Sequence, residues 1–444
     1  MIQVTDLSNG QTLTLTKQIA RSGEGCVWHT SRKGFLAKIY HQPTPARIKK
    51  LEVMLTNPPE DKLAHLPHVS YAWPCSILMD HRGQKVGFLM PEIKLGRPLK
   101  EIYNPRLRKA NKLEVDWQFL HATAYNIALF MESIHKAGYV IGDVKPENIL
   151  VNPQALPSII DTDSFQVRDE DGTVYRCPVG SEGFTPPELI GKNFAEIDQD
   201  EVHDRFRLAV IVFTLLFGYE PFKGVWKGGG DPPPPPDWVK YGYWAYGSSG
   251  KVGLADYMIP LEVVHPDLKE LFLRCFNDGF SVPSMRPTAR EWKQALAIAY
   301  NELHQCSVVS SHFYHREHQS CYWCERKAKG FPDIFEFPQS RQGRQQSSRR
   351  NKRSATKTAS DYFDRGNVKY YLEDYRGAIE DYTQAIRLKP NYAYAYNNRG
   401  LAKSDLGDTQ GAIEDYREAA RLYYQQGRTA NYEDALNRIR ELGG

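Results

Sequence analysis

The sequence predicts a mixed α+β region followed by a purely helical tail, and three observations carry that expectation. Strand-like and helix-like patterns mix over about the first 300 residues, enough chain for a sizeable core. Residues 338–360, PQSRQGRQQSSRRNKRSATKTAS, hold seven basic residues in polar filler. Such a segment cannot bury enough apolar surface to offset its ordering entropy, so 331–358 is expected to be a disordered basic linker. Beyond it the pattern is helical and repeats at an offset of 34 residues, from Gly366 and again from Gly400. The 444 residues, 41% hydrophobic and 25% charged, have the composition of an ordinary globular chain. The longest apolar run, LAVIVFTLLFGY at 208–219, falls short of the roughly 20 residues of a membrane span and reads as a buried helix. The start, MIQVTDLSNG, has neither the basic residues nor the apolar stretch of a secretory signal, so a cytoplasmic location without membrane association is expected. Seven cysteines, an odd number, then read as reduced thiols with a metal site among them.

Taken in order, IARSGEGCVWHTSRKGFLAKIYH reads as a Gly-rich hairpin followed by a strand that carries Lys38. Ala20, Ser22, Gly23, Gly25 and Val27 line that hairpin, and small residues there let backbone approach a phosphate. TPARIKKLEVML, 44–55, has helical periodicity, and Glu52 is its best-placed acid to pair with Lys38. VGFLMPEI, 86–93, reads as a strand running into a connecting segment at Met90, Glu92 and Ile93. The helical pattern LHATAYNIALFMESIHKAG then leads into YVIGDVKPENILVN, which presents Asp143, Lys145 and Asn148. In IIDTDSFQV, Asp161 follows Asn148 by 13 residues. Asp163 is the alternative carboxylate, but aligning it in that place turns Asp161 toward the core, where a lone charge is costly. GSEGFTPPEL, DRFRLAVIVFTLLFGYEPF and SMRPTAREW complete the series.

In this order and spacing the motifs resemble the protein kinase family, which implies a two-lobe α+β protein kinase fold over 1–303. The hairpin, DTDSFQ, GFTPPEL and the Cys/His stretch together resemble a bacterial group of atypical serine/threonine kinases. The cofactors implied are ATP and Mg²⁺ or Mn²⁺. Asp143 would be the catalytic base and Lys145 would sit on the γ-phosphate, while Lys38 would hold the α/β-phosphates. Asn148 and Asp161 would ligate magnesium, with Asp163 a second or substitute ligand. Met90 would line the back of the nucleotide pocket, and the Glu92 and Ile93 backbone would face adenine. Ser181 would lie beside the base, Asp204 would brace the catalytic loop, and Arg286 would pair with Glu188. The sequence departs from H-R-D, since Ile141 and Gly142 stand before Asp143. Gly142 has no side chain to clamp a phosphate on the activation segment, whose exposed hydroxyls would be Thr173 and Tyr175.

In 304–330, Cys306, His312, Cys321 and Cys324 offer the ligands of a closed, tetrahedral zinc knuckle, with His315 or His318 as substitutes for His312. The 34-residue period is that of tetratricopeptide repeats, expected over 359–444. Gly366, Ala378, Tyr382, Ala385 and Pro390 occupy its positions in the first repeat, and Gly400, Ala412, Tyr416 and Ala419 in the second. Protein partners or substrates are the expected ligands of such an array. Two repeats and a capping helix are fewer than the usual three, which implies docking or self-association. In GGGDPPPPPDWVKYGYWAYG, 228–247, the proline run is expected to be extended and semi-rigid, and the stretch reads either as a partner-docking element through its Trp and Tyr residues or as a plain insertion. Two rival readings are a pseudokinase scaffold, motivated by the missing glycines and altered D-F-G, and a nucleic-acid regulator, which the lack of aromatics in the basic run disfavours.

Overall fold

The computed structural model describes residues 2–337, 358–371 and 374–443. The chain divides into two compact units at 338/339, each treated by itself below. The first begins as a closed antiparallel barrel of β1 (Ile2–Asp6), β2 (Thr12–Arg21), β3 (Gly25–Thr30), β4 (Phe35–Tyr40), β5 (Ser76–Met79) and β6 (Lys85–Pro91), in the order β1-β2-β3-β4-β6-β5. Alternation along the strands sends Val4, Leu13, Leu15, Ala37, Leu78 and Leu89 into one core. Between β4 and β5 runs α1 (Pro45–Thr56). Thr44 caps it by accepting from Arg47 N, and Pro45 stands at its start, where no intrahelical N–H is needed. The helix buries Ile48, Lys50, Leu51 and Met54.

Helices α2 (Trp117–Lys136), α3 (Glu201–Phe217) and α4 (Ala289–Asn301) build the second lobe. Asp116 caps α2, and α3 and α4 each start with a capping box, Asp200/His203 and Thr288/Glu291. α2 is buried on nearly all sides and packs against both α3 and α4, as an all-round apolar helix must. A three-stranded sheet of 97–98, Ile149–Val151 and Pro157–Ile159 carries the loops that form the candidate site.

Two expectations about connections are corrected. Within 228–247, Pro235–Lys240 is helical, and Trp244 is fully buried, donating to Asn277 Oδ1 at 2.9 Å and packing on Phe276. The aromatic residues of that insertion thus serve the core as well as its surface. The expected linker start at 331 is also too early. Phe335 is buried against Trp323, and Arg108 donates to Ile334 O at 3.0 Å while stacking over Phe335, so 331–337 belongs to the first unit. The basic run 338–357 lies outside the described residues.

The second unit consists of α5 (Ala359–Tyr371), α6 (Tyr375–Leu388), α7 (Ala393–Asp405), α8 (Thr409–Gln425) and α9 (Thr429–Glu441) packed in succession. The small residues sit where helices cross: a Cβ on Gly366 would lie 2.7 Å from the Tyr382 ring, and one on Gly400 2.9 Å from Tyr416. Ala378, Ala385, Ala412 and Ala419 are fully enclosed. Each repeat forms an equivalent ion pair to a buried aspartate, Arg365–Asp381 and Arg399–Asp415, 34 positions apart. Among the described residues no helix is long and apolar enough to cross a membrane.

Candidate active site

Asp143 lies at the end of the loop after α2, buried to 3% exposure. Its Oδ1 accepts from Ser181 Oγ at 2.6 Å and its Oδ2 from Lys145 Nζ at 2.5 Å, and Asn148 Nδ2 donates to its carbonyl at 3.3 Å. The loop is fixed from below by Asp204 of α3, which accepts from Ile141 N at 2.7 Å, Gly142 N at 3.1 Å and Arg207 at 2.9 Å. His135 Nε2, in the last turn of α2, lies 3.2 Å from the same carboxylate. Burial alone would raise the Asp204 carboxyl, but the His135 hydrogen bond and the Arg207 charge outweigh it and hold it below the usual range. The two unexpected letters have steric reasons. Ile141 is buried, and Gly142 has φ +73° with its virtual Cβ 2.7 Å from Cys177 Cβ. An arginine cannot stand there because the activation segment packs directly on the backbone.

That segment is ordered by protein contacts. Val167–Arg168 pairs with Val174–Tyr175, and Gln166 and Gln199 exchange hydrogen bonds of 2.6 and 2.8 Å. Arg176 holds Asp198 at 2.7 Å, and Glu188 and Arg286 form a bidentate pair at 2.6 and 2.8 Å.

Across the cleft, Lys38 is buried on β4, with Nζ 2.7 Å from Asp161 Oδ1 and 2.6 Å from Asp163 Oδ1. Burial opposes the ammonium form, yet the Asp163 and Asp161 charges raise its pKa above the ordinary lysine value. The Asp161 side chain is 39% exposed, whereas that of Asp163 is 3% exposed and also accepts from Tyr40 OH at 2.9 Å. The expected Lys38–Glu52 pair is not formed: Glu52 faces outward and takes Lys85 at 2.7 Å. Lys50 of α1 points inward instead and donates to the Asp163 carbonyl at 2.6 Å, with burial pushing its amine down to about 8.

The β2–β3 hairpin turns at Ser22–Glu24, where Ser22 Oγ lies 3.3 Å from Glu24 N and 3.4 Å from Gly25 N. Gly25 is required by packing, since a Cβ there would meet Ile39 O at 2.4 Å, and Ala20 pairs across to Val27. Gly23 has open space around it. Met90 is buried at the end of β6, and Glu92 N donates to Gly34 O at 2.9 Å. The Glu92 amide, next to Ile93, is thereby already taken.

In the Cys/His stretch, the ligand atoms of Cys306, His312, Cys321 and Cys324 lie within 4.8 Å of one another. His312 Nδ1 is 3.7 Å from Cys321 Sγ and 3.5 Å from Cys324 Sγ, and its Nε2 is 2.9 Å from Asp333. A proton on Nε2 donated to Asp333 leaves the Nδ1 lone pair facing the thiols, the arrangement that orients a metal-binding imidazole. A second group, His265, Glu302 and His315, is also compact. There backbone N–H groups of Asp267 and Glu317 donate to both Nδ1 atoms, at 3.1 and 3.4 Å. Both Nε2–H groups are then directed at Glu302, at 3.3 and 3.0 Å, so this is a hydrogen-bonded clasp.

Sequence reasoning missed Tyr40, Lys50, Asp333 and His135. Only Lys50 left a trace, falling four positions before Met54 on the inward stripe of α1.

A protein kinase domain model matches residues 82–228, and tetratricopeptide repeat models match 366–407 and 393–426. Protein kinase YegI of Escherichia coli K12 is 33% identical over 331 residues, covering 73% of this chain and 50% of the relative. Its counterpart in Escherichia coli O157:H7 is 32% identical over the same share. The cAMP-dependent protein kinase catalytic subunit of Dictyostelium discoideum is 33% identical over 116 residues, 26% of this chain and 16% of the relative. The chain thus spans about half the length of the YegI relatives. Its site geometry, its matched domain models and its relatives together identify a protein kinase domain joined to tetratricopeptide repeats.

Proposed function

We propose that the chain is an ATP-dependent serine/threonine protein kinase whose C-terminal repeats recruit protein partners or substrates. One observation carries the reading: Asp143 is enclosed between Ser181 and Lys145, opposite a Lys38 already charged and held by carboxylates. Asp143 accepts the proton of the attacking hydroxyl, and Lys145 and Lys38 hold phosphate oxygens. Asn148 and the solvent-accessible Asp161 are the residues that would hold Mg²⁺ or Mn²⁺, which neutralises charge on the phosphates when bound. Cys306, His312, Cys321 and Cys324 would hold a structural zinc ion, with Asp333 orienting His312. An odd number of cysteines, seven, argues against a disulfide framework and supports a cytoplasmic setting.

The test is incorporation of radiolabelled phosphate from ATP with Mg²⁺ or Mn²⁺, comparing wild type with Asp143→Asn. Label in wild type that falls by about 1000-fold in the variant supports the assignment. Equal label in the two leaves the second reading, a nucleotide-binding scaffold. The hairpin favours that alternative to one extent: Ser22 Oγ draws the Glu24 and Gly25 amides, which a phosphate cradle would leave open.

A further inference from the structure

Lys38 is braced in an unusual way. In protein kinases the lysine that holds the phosphates is aligned by a glutamate from the helix after its strand. Here α1, PARIKKLEVMLT, contains a single acid, Glu52, which is at the surface with Lys85. The place facing the cleft is taken by a second lysine, Lys50. A buried ammonium still needs a permanent anion, and the two carboxylates that hydrogen-bond Lys38 both come from the DTD segment, with Glu24 of the hairpin a more distant third at 3.9 Å. They differ in exposure and in partners. Asp161 opens to the cleft and touches Lys38 through one oxygen, whereas Asp163 is closed off and uses both oxygens, one on Lys38 and one on Tyr40. Lys38 and Tyr40 lie two apart on β4, so they share the face that Asp163 meets. The main chain of Asp163 is fixed as well, by Lys50 at its carbonyl.

We propose that Asp163 is the positioning residue for Lys38 and fills the part of the missing helix glutamate, while Asp161 alone is free to turn to the metal. This rests on the kinase reading above. The DTD segment then divides two tasks between neighbouring carboxylates. The helix supplies no acid to Lys38: Lys50 steadies the Asp163 backbone, and Arg47 holds Glu24 at 2.9 Å. Displacing α1 would therefore not withdraw the acid from Lys38.

The experiment compares Asp163→Asn, Asp161→Asn and Glu52→Gln in the full chain, each checked for folding by thermal melting. It reads kcat, the KM for ATP and the Mg²⁺ concentration for half-maximal rate. Asp163→Asn is expected to lower kcat about 100-fold with the Mg²⁺ requirement within about twofold of wild type. Asp161→Asn should raise that requirement by about tenfold or more, and Glu52→Gln should leave every constant within about twofold. A raised Mg²⁺ requirement in Asp163→Asn makes it a metal ligand and overturns the proposal, as does a loss of about tenfold or more in Glu52→Gln. If Asp163→Asn does not fold, Tyr40→Phe takes its place, with kcat down by about three- to tenfold at an unchanged Mg²⁺ requirement, and an unaltered kcat overturns the proposal. If wild type transfers no phosphate, the kinase reading fails on its own, and binding of ATP in EDTA decides this one. Asp163→Asn should change that Kd by about fivefold or more and Glu52→Gln should not, whereas equal affinities overturn it.

Discussion

Replacing Gly142 by alanine probes the contact between catalytic loop and activation segment. At φ +73° an L-residue pays about 1–2 kcal/mol for the left-handed conformation. The added methyl also arrives 2.7 Å from Cys177 Cβ and 2.8 Å from its Sγ, inside van der Waals contact, and overpacking of a buried site costs about 1–3 kcal/mol. The two effects act on different atoms, so the expected destabilisation is their sum, about 2–5 kcal/mol. Urea unfolding at fixed pH measures it, and removing the opposing group in Gly142→Ala, Cys177→Gly separates the parts. The double variant should couple favourably, with the Cys177→Gly change costing about 1–3 kcal/mol less in the Gly142→Ala background than alone. A single-variant loss below about 0.5 kcal/mol, or no coupling, would refute both the strain and the contact. Gly142→Arg, which restores the missing letter, should destabilise at least as much as alanine and create no phosphate clamp.

Because the segment is ordered by Gln166–Gln199, Arg176–Asp198 and Glu188–Arg286, initial rates of phosphatase-treated wild type and of Thr173→Ala, Tyr175→Phe should stay within about threefold, or about 0.7 kcal/mol of barrier. A loss of about 100-fold would mean that another cation reads a phosphate there. Elemental analysis should find about one zinc per chain, absent in Cys321→Ser, Cys324→Ser, and a folded wild type without metal would refute the knuckle. Burial depresses His121 from 6.5 to about 4 despite its hydrogen bond to the Trp117 carbonyl. The unfolded chain therefore binds that proton first: the stabilisation is complete above pH 6.5 and is lost as pH falls toward 4, at up to about 1.4 kcal/mol per pH unit. His121→Gln should remove that part of the slope in urea unfolding between neutral pH and pH 4.5, and an unchanged slope would assign the acid sensitivity elsewhere.

The parts of the site legible in the sequence are those set by short, fixed spacings. Asp143, Lys145 and Asn148 share one turn of chain, and Asp161 follows at a set distance across a short hairpin. Asp204 and the Glu188–Arg286 pair were readable because each lies in its own motif. Glu52 was misread because helical periodicity defines a buried stripe but not which charged residue joins it. Lysine is ordinarily exposed, so Lys50 gave little reason to be counted inside. The burial of Asp163 depends on Lys38 and Tyr40, 125 and 123 residues away, and no local pattern encodes a partner at that separation. The proline run misled for the opposite reason: local stiffness was legible, but the destination of Trp244 in the core was not.

The seating of Trp323 on Trp117, and of Phe335 and Ile334 on Arg108, has a consequence for biosynthesis. Arg108 and Ile334 are 226 residues apart, so a ribosome elongating at roughly 5–20 residues per second exposes Arg108, just before α2, for roughly 10–45 s before its cover exists. During that interval a nascent chain presents the Trp117 indole without Trp323 and the Arg108 guanidinium with only its Val115 carbonyl. A shortened gene therefore has to run through Phe335 and not stop at the end of α4.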